Sequence, residues 1–320
     1  MSSPESVLLI GVCSQSSSSV QIDYPTDLSA SKASGNLGAH VLDAFANSPY
    51  KVSIMTREGS TSTFREGIPV LRADYTSQAQ LEAAMKGQDI VICMVAIFAT
   101  GGQQILVDAA IAAGVKVFLP SEFGPPSRDD KFAALHPALP PKVATVDYLK
   151  SKGSMISWSA IVTGAFFDWG MRLGLFGFDL KARTATIVDG GSAIFTASTL
   201  PTIAQAILAM LHHRDETKNQ YVFTSSFHNS QNEILEVLER LDGQKWEVKH
   251  VSSEDLATQG NQRLAEEDEM GAIDIVGAGA LGRDALGDSR PWGMWDERLG
   301  VNKGDLEQAV IQALLEVRAG

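Results

Sequence analysis

Ser6-Val7-Leu8-Leu9-Ile10-Gly11 and Ala33-Ser34-Gly35-Asn36-Leu37-Gly38-Ala39-His40-Val41-Leu42 together decide how this chain folds. The first is a short apolar run of the kind that makes a buried strand, closed by a glycine. The second opens on small residues and continues with the spacing of a helix. Between them lies Val12 to Lys32, 21 residues that hold five serines between Ser14 and Ser19. With that stretch set aside the text reads Ile10-Gly11-Ala33-Ser34-Gly35-Asn36-Leu37-Gly38, a G-x-x-G-x-x-G turn from strand to helix. Each position has a physical role. Gly11 permits the tight turn, Gly35 lets a pyrophosphate approach the backbone, and Gly38 lets the helix pack close to the sheet. The helix N-terminus then faces the phosphates. Gly11, Ser34, Gly35, Asn36, Leu37 and Gly38 are therefore predicted to hold a dinucleotide.

Val12 to Lys32 shows no amphipathic pattern and its composition cannot bury a core. Two readings of it stay open, an inserted loop and a translated intron. Val12-Cys13 can be encoded by GTATGT, Thr26-Asp27 by ACTGAC, and Lys32 can end in AG, which together resemble intron signals.

Outward from the turn, the 320 residues alternate strand and helix. Tyr50–Arg57, Gly67–Asp74, Gln88–Ala96, Val115–Pro120 and Ile156–Val162 read as further strands, with helices at 78–86, 103–113 and 142–151. The near-continuous apolar text of Gln88–Ala96 suits a central parallel strand buried on both faces. The alternation predicts an α/β fold with a Rossmann-type doubly wound parallel sheet. Beyond Thr163 the regularity weakens. Thr184–Phe195 is glycine-rich and β-like, 202–211, 232–241 and 303–317 are helical, and Gln220–Thr224 is one more strand. The acidic Leu264–Met270 and the glycine-rich Gly277–Gly287 read as a mobile segment. The expected division is a dinucleotide domain over residues 1–164 and a smaller C-terminal substrate lobe over 165–320, with some elements returning to the sheet.

A hydrophobic fraction of 44% and a charged fraction of 20% are those of a globular protein. No apolar run approaches the roughly 20 residues that span a bilayer, and Met1-Ser2-Ser3-Pro4-Glu5 lacks the basic start of a signal peptide. With only Cys13 and Cys93, a disulfide framework is not expected and the default compartment is the cytoplasm. The histidines and cysteines show no metal-ligand spacing. A net charge of −12 disfavours nucleic acid as a partner.

Two further signals concern chemistry. The second strand ends in Thr56-Arg57, where an NAD site usually offers an acidic residue. A guanidinium there pairs with a 2′-phosphate, which favours NADPH. After the fifth strand come Pro120-Ser121-Glu122-Phe123-Gly124 and then Pro140-Pro141-Lys142-Val143. Lys142 would sit in the first turn of the following helix, pointing back to the carboxyl edge where open sheets bind ligands. There it would hold the nicotinamide ribose or act as a general acid/base with a lowered pKa, with Phe123 beside the nicotinamide, although spacing alone favours a solvated lysine at a helix start. Tyr148 and Lys152 satisfy Y-x-x-x-K, but they fall at the end of their helix. His136 reads as a loop surface residue, and Phe166, Phe167 and Trp169 as core or substrate lining.

Taken together, Gly11 joined to Gly35-Asn36-Leu37-Gly38, Arg57, Asp74, Asp89-Ile90-Val91, Pro120-Ser121-Glu122-Phe123-Gly124, Lys142 and Gly164-Ala165-Phe166-Phe167-Asp168-Trp169 resemble the NmrA-like/isoflavone reductase-like family of atypical short-chain dehydrogenase/reductases. The likeness runs from Val7 to Leu211 and loosens beyond. The resemblance implies an NADP(H)-dependent oxidoreductase with Lys142 as the catalytic residue. Its substrate would be a small, aromatic or secondary-metabolite-type molecule, and the chain a monomer or homodimer. The alternative it also implies is a non-catalytic dinucleotide-sensing regulator that acts through protein partners.

Overall fold

The computed structural model describes residues 4–11, 35–136, 139–268 and 270–319. Val12 to Lys32 and the predicted cofactor residue Ser34 lie outside the described residues. The chain divides into two compact units: Met1–Phe123 with Pro140–Ile161 and Ile203–Val222, and Gly124–Leu139 with Val162–Thr202 and Phe223–Gly320.

The first unit is built from β1 (Ser6–Ile10), α1 (Gly35–Ala46), β2 (Lys51–Arg57), β3 (Val70–Ala73), α2 (Gln78–Met85), β4 (Ile90–Cys93), α3 (Gln103–Ala112) and β5 (Val117–Leu119). The helix Pro140–Ser151 and then β6 (Ser157–Val162) follow. The strand order is Gln220–Phe223, β6, β5, β4, β1, β2, β3. Every pairing from β6 to β3 is parallel. Val7 to Ile10 and all of β4 are fully buried, so both strands read as unbroken apolar text. β1 lies between β2 and β4, with Ile10 opposite Met55 on one side and Cys93 on the other. The winding reverses direction there. A crevice beyond the carboxyl ends of β1 and β4 is the place where such sheets bind ligands. Behind it, α1 buries Leu37, Val41, Leu42 and Phe45, the i, i+4, i+5, i+8 stripe of an amphipathic helix.

In the second unit two three-stranded sheets form, one of Phe227–Asn229, Phe195–Ser198 and Ala165–Phe166, the other of Glu247–Val251, Thr184–Val188 and Phe178–Asp179. The helix Gln231–Asp242 starts with a capping box between Ser230 and Glu233 and buries Ile234, Val237 and Leu238. Phe167 is fully buried in this unit's core, its ring 5.7 Å from Phe176 and 4.8 Å from Phe227. Of the aromatics that follow β6, Phe167 is therefore core.

Parts of the two stretches read as mobile, residues 264–265 and 270 of the first and 277–281 of the second, belong to a pair of packed helices, Ser253–Ala265 and Met270–Leu281. Two glycines of these helices, outside the stretches themselves, serve close approach. A β-carbon on Gly260 would come within 2.6 Å of the Gly271 carbonyl oxygen, and one on Gly271 would overlap the Gly260 carbonyl. Arg263 ties the connection down, reaching Asp268 at 2.8 Å and Asp274 at 2.7 Å. The strand Glu247–Val251 also escaped the sequence reading. Most of its residues are exposed, so it lacks the apolar alternation that announces a half-buried strand. Among the described residues no helix is long and apolar enough to cross a membrane.

Candidate active site

The site assembles at the carboxyl edge of the first unit, and its geometry starts at Gly11. The φ of Gly11 is +90°, and a β-carbon there would overlap the Met94 carbonyl oxygen and lie 2.7 Å from its carbon. The chain leaving β1 thus runs directly over the chain leaving β4, which only a residue without a side chain allows. Gly35 and Asn36 open α1 just beyond. Leu37 is buried and Gly38 packs inside the unit. What Leu37 can offer a ligand is therefore its main-chain N–H in the first helical turn, one of the groups that has no partner within the helix.

The edge next to β4 is braced by side chains that the sequence reading did not single out. Ser121 donates its N–H to Gln103 Oε1 at 2.7 Å and its hydroxyl to the Val95 carbonyl at 2.8 Å. Gln103, fully buried, also donates Nε2 to the Thr100 carbonyl at 3.2 Å. Thr145 joins the same turn to the helix Pro140–Ser151, donating to Pro141 at 2.9 Å and to Thr100 at 3.4 Å. The two prolines that open this helix occupy positions where a missing N–H costs nothing.

These braces hold two buried ionisable groups. Lys142 is 4% exposed and Glu122 not at all. The Lys142 Nζ donates to the Phe123 carbonyl at 2.8 Å and to the Glu122 carbonyl at 3.4 Å. Burial pulls the Lys142 ammonium below the usual lysine range, and the Glu122 charge pushes back. Burial likewise raises the Glu122 carboxyl, to about 7, against the opposing pull of Lys142. A lowered pKa brings a lysine closer to the range in which a general acid/base works. Glu122 is the buried ionisable residue of this edge to which the sequence reading gave no role. Its one signal was a carboxylate in a proline-flanked loop right after a buried strand.

The remaining predicted residues separate cleanly. Phe123 is buried, 8% exposed, and contributes its carbonyl to Lys142. Arg57 ends β2 and is exposed. Tyr148 and Lys152 are accounted for by Asp108: the phenol donates to it at 2.7 Å, and the ammonium lies 2.8 Å from it and 4.1 Å above the tyrosine ring. That cluster belongs to the far end of the helix, a structural role. His136 is partly buried rather than a plain surface residue, and burial lowers its pKa.

Comparison with known proteins agrees with this geometry. The model of the NmrA-like family matches residues 31–270, beginning two residues before the second half of the glycine motif. The oxidoreductase poxI of Penicillium oxalicum is 37% identical over 247 residues, covering 75% of this chain and 77% of its own length. The isoflavone reductase homolog IRL of Zea mays is 28% identical over 235 residues, 69% of this chain and 75% of its own. Among solved structures, the binary complex of leucoanthocyanidin reductase with NADPH from Vitis vinifera superposes with a TM-score of 0.76 at 16% identity, over 97% of this chain and 99% of that one. That last likeness is one of fold. The glycine turn, the strand order and the extent of the matched sequence converge: the chain belongs to the NmrA-like family, among its oxidoreductases.

Proposed function

We propose that this protein is an NADP(H)-dependent reductase of a small, aromatic or secondary-metabolite-type molecule. The observation that carries the reading is the buried Lys142, held by two main-chain carbonyls at the same sheet edge as the glycine turn. The residues present fit a dinucleotide. Gly11 lets the chain leave β1 directly over Met94, where a side chain would clash, the first turn of α1 offers a pyrophosphate main-chain N–H groups that have no partner within the helix, and Arg57 stands exposed at the end of β2. Named relatives point the same way, since poxI is an oxidoreductase and the Vitis vinifera neighbour was solved with NADPH.

When bound, the nicotinamide supplies a hydride. The chain's own residues do the rest. The α1 turn and Arg57 bind and orient the cofactor, which accounts for much of the rate effect in such enzymes. Lys142 holds the proton that must join the reduced substrate, on its Nζ. Arg57 sets the cofactor preference through a charge-assisted pair with the 2′-phosphate.

Arg57→Ala is the test of that preference. NADPH affinity, measured by calorimetry, is expected to fall about 10- to 100-fold, or roughly 1.4–2.8 kcal/mol, while NADH affinity stays within about twofold because it lacks the phosphate. Equal NADPH affinity in the variant and the natural protein would refute the assignment of Arg57.

A further inference from the structure

We propose that His228 is the latch of a strap that acid releases: residues 287–304 of the second unit are fastened on both sides of its imidazole, and a second proton on that ring undoes one of the fastenings. The inference does not depend on the reductase reading. Three main-chain bonds tie the strap down. The Gly287 carbonyl accepts the Thr196 N–H at 3.0 Å, Trp295 donates to the Phe223 carbonyl at 2.8 Å, and Gly304 donates to the Ser226 carbonyl at 2.9 Å. Two further fastenings use side chains. Ser289 donates its N–H to Thr196 Oγ1 at 2.8 Å. Asp296 accepts the Thr224 hydroxyl at 2.7 Å, the Ser225 N–H at 2.8 Å and the Ser225 hydroxyl at 3.3 Å.

His228 stands between these two. The strands Phe195–Ser198 and Phe227–Asn229 run antiparallel with Thr196 opposite His228, and Nδ1 lies 3.0 Å from Thr196 Oγ1. On the other side Nε2 lies 3.3 Å from Ser225 Oγ. The carboxylate at the end of the chain sets the direction of every bond. The Ser225 hydroxyl gives its proton to Asp296, so toward the ring its oxygen accepts, and Nε2 carries the hydrogen. Nδ1 is then bare and accepts the Thr196 hydroxyl, whose oxygen stays open to the Ser289 N–H. The bonds run one way, from Ser289 through Thr196, His228 and Ser225 to Asp296, a cooperative order.

A second proton on the ring breaks that order. Nδ1–H then points at Thr196 Oγ1, whose own proton must turn away. Thr196 is 1% exposed, and among the described residues its hydroxyl bonds only His228 and Ser289. The buried Ser289 hydroxyl makes no hydrogen bond to it. The displaced proton has no acceptor, which a buried hydroxyl tolerates poorly, and the Ser289 fastening is the one disturbed. Burial of the half-buried ring holds its titration below the usual histidine range. Arg290 pushes the same way, Asp288 and Asp296 push back, and Lys303 pushes down. Arg290 is itself paired with Asp288 at 2.6 Å. Mild acid is therefore the release signal.

The test uses the full chain without cofactor, labelled with 15N in its histidines, the His228 signal being assigned through its contacts with Thr196. Long-range 1H–15N spectra at about pH 7.5 are expected to show the Nε2–H tautomer, and an Nδ1–H tautomer overturns the proposal. Amide hydrogen exchange reads the strap. Between about pH 7.5 and pH 5 the protection of the Ser289 amide should fall at least about tenfold, while that of Leu238, in the helix Gln231–Asp242 of the same unit, stays within about twofold. Ser289 protection that stays level, or that falls only together with Leu238, overturns the proposal. His228→Asn keeps an oxygen for the Thr196 hydroxyl but takes up no proton, so the fall should vanish in that variant; a fall of the same size there overturns the proposal as well. If the variant does not fold, the natural protein decides. The midpoint of the Ser289 change must coincide with the His228 ring titration, and a mismatch of more than about one pH unit overturns the latch.

Discussion

Gly11→Ala is expected to destabilise the first unit by about 2–5 kcal/mol and to abolish dinucleotide binding. Two costs add. A residue with a β-carbon at a φ of +90° carries strain of roughly 1–2 kcal/mol. Its methyl must also displace the Met94 carbonyl, and forced overpacking costs about 1–3 kcal/mol. The damage spreads along a defined chain of contacts. Met94 precedes Val95, whose carbonyl accepts the Ser121 hydroxyl, and Ser121 precedes the Glu122 and Phe123 carbonyls that seat Lys142. One methyl group at the end of β1 therefore misplaces the proton-holding group as well as the phosphate cradle. Urea unfolding reads the first effect and NADPH titration the second. Gly59→Ala is the matched control: a β-carbon there meets nothing within 4 Å, so its effect should stay within about 0.5 kcal/mol.

Lys142→Met should lower turnover by about 10²- to 10⁴-fold, the usual contribution of a positioned acid/base, equivalent to roughly 3–5 kcal/mol of barrier. NADPH affinity should remain within about threefold, because the phosphates are held elsewhere. A dinucleotide sensor would have no turnover to lose, so the natural protein's rate separates the two classes before the variant is made. The variant also carries a pH signature. With no cation beside it, Glu122 keeps a folded-state pKa raised above its ordinary value. Such a group favours the fold below its unfolded pKa and ceases to do so as pH rises through the folded one. Thermal stability of Lys142→Met should therefore decline, relative to the natural protein, as pH climbs from about 7 upward. Adding Glu122→Gln should flatten that decline. A pH-independent difference would mean that Glu122 ionises without regard to Lys142.

The parts of this structure that were legible in the sequence are those where one physical demand dominates. Residues 7–10 and Ile90–Cys93 must be apolar on both faces to lie inside a parallel sheet, and they read as such at once. The turn at Gly11 shows through a 21-residue interruption because a close backbone crossing tolerates nothing but glycine. Lys142 was found because the first turn of a helix after β5 faces the carboxyl edge whatever the rest of the helix does. The less legible parts depend on contacts far apart in the chain. Gly279 looked like looseness, because a glycine that makes room for a neighbour, here the Leu135 side chain, is spelled the same way as one that serves a loop. Glu247–Val251 pairs with Thr184–Val188, more than 60 positions away, and its exposed side chains carry no trace of that pairing. Glu122 was quoted as part of a motif without a role, since its meaning comes from a lysine 20 residues later that the fold brings back to it.

The central claim is that the carboxyl edge of the first unit is an NADP(H) site built on the joined glycine turn. The most direct test is calorimetric titration with NADPH and NADH of the full chain and of a version lacking Val12 to Lys32. Saturable binding of NADPH by the shortened chain, about tenfold or more tighter than NADH, is the predicted result. Comparable binding by the full chain would mark the 21 residues as a tolerated loop. No saturable binding by the shortened chain, with its fold intact by circular dichroism, would contradict the account.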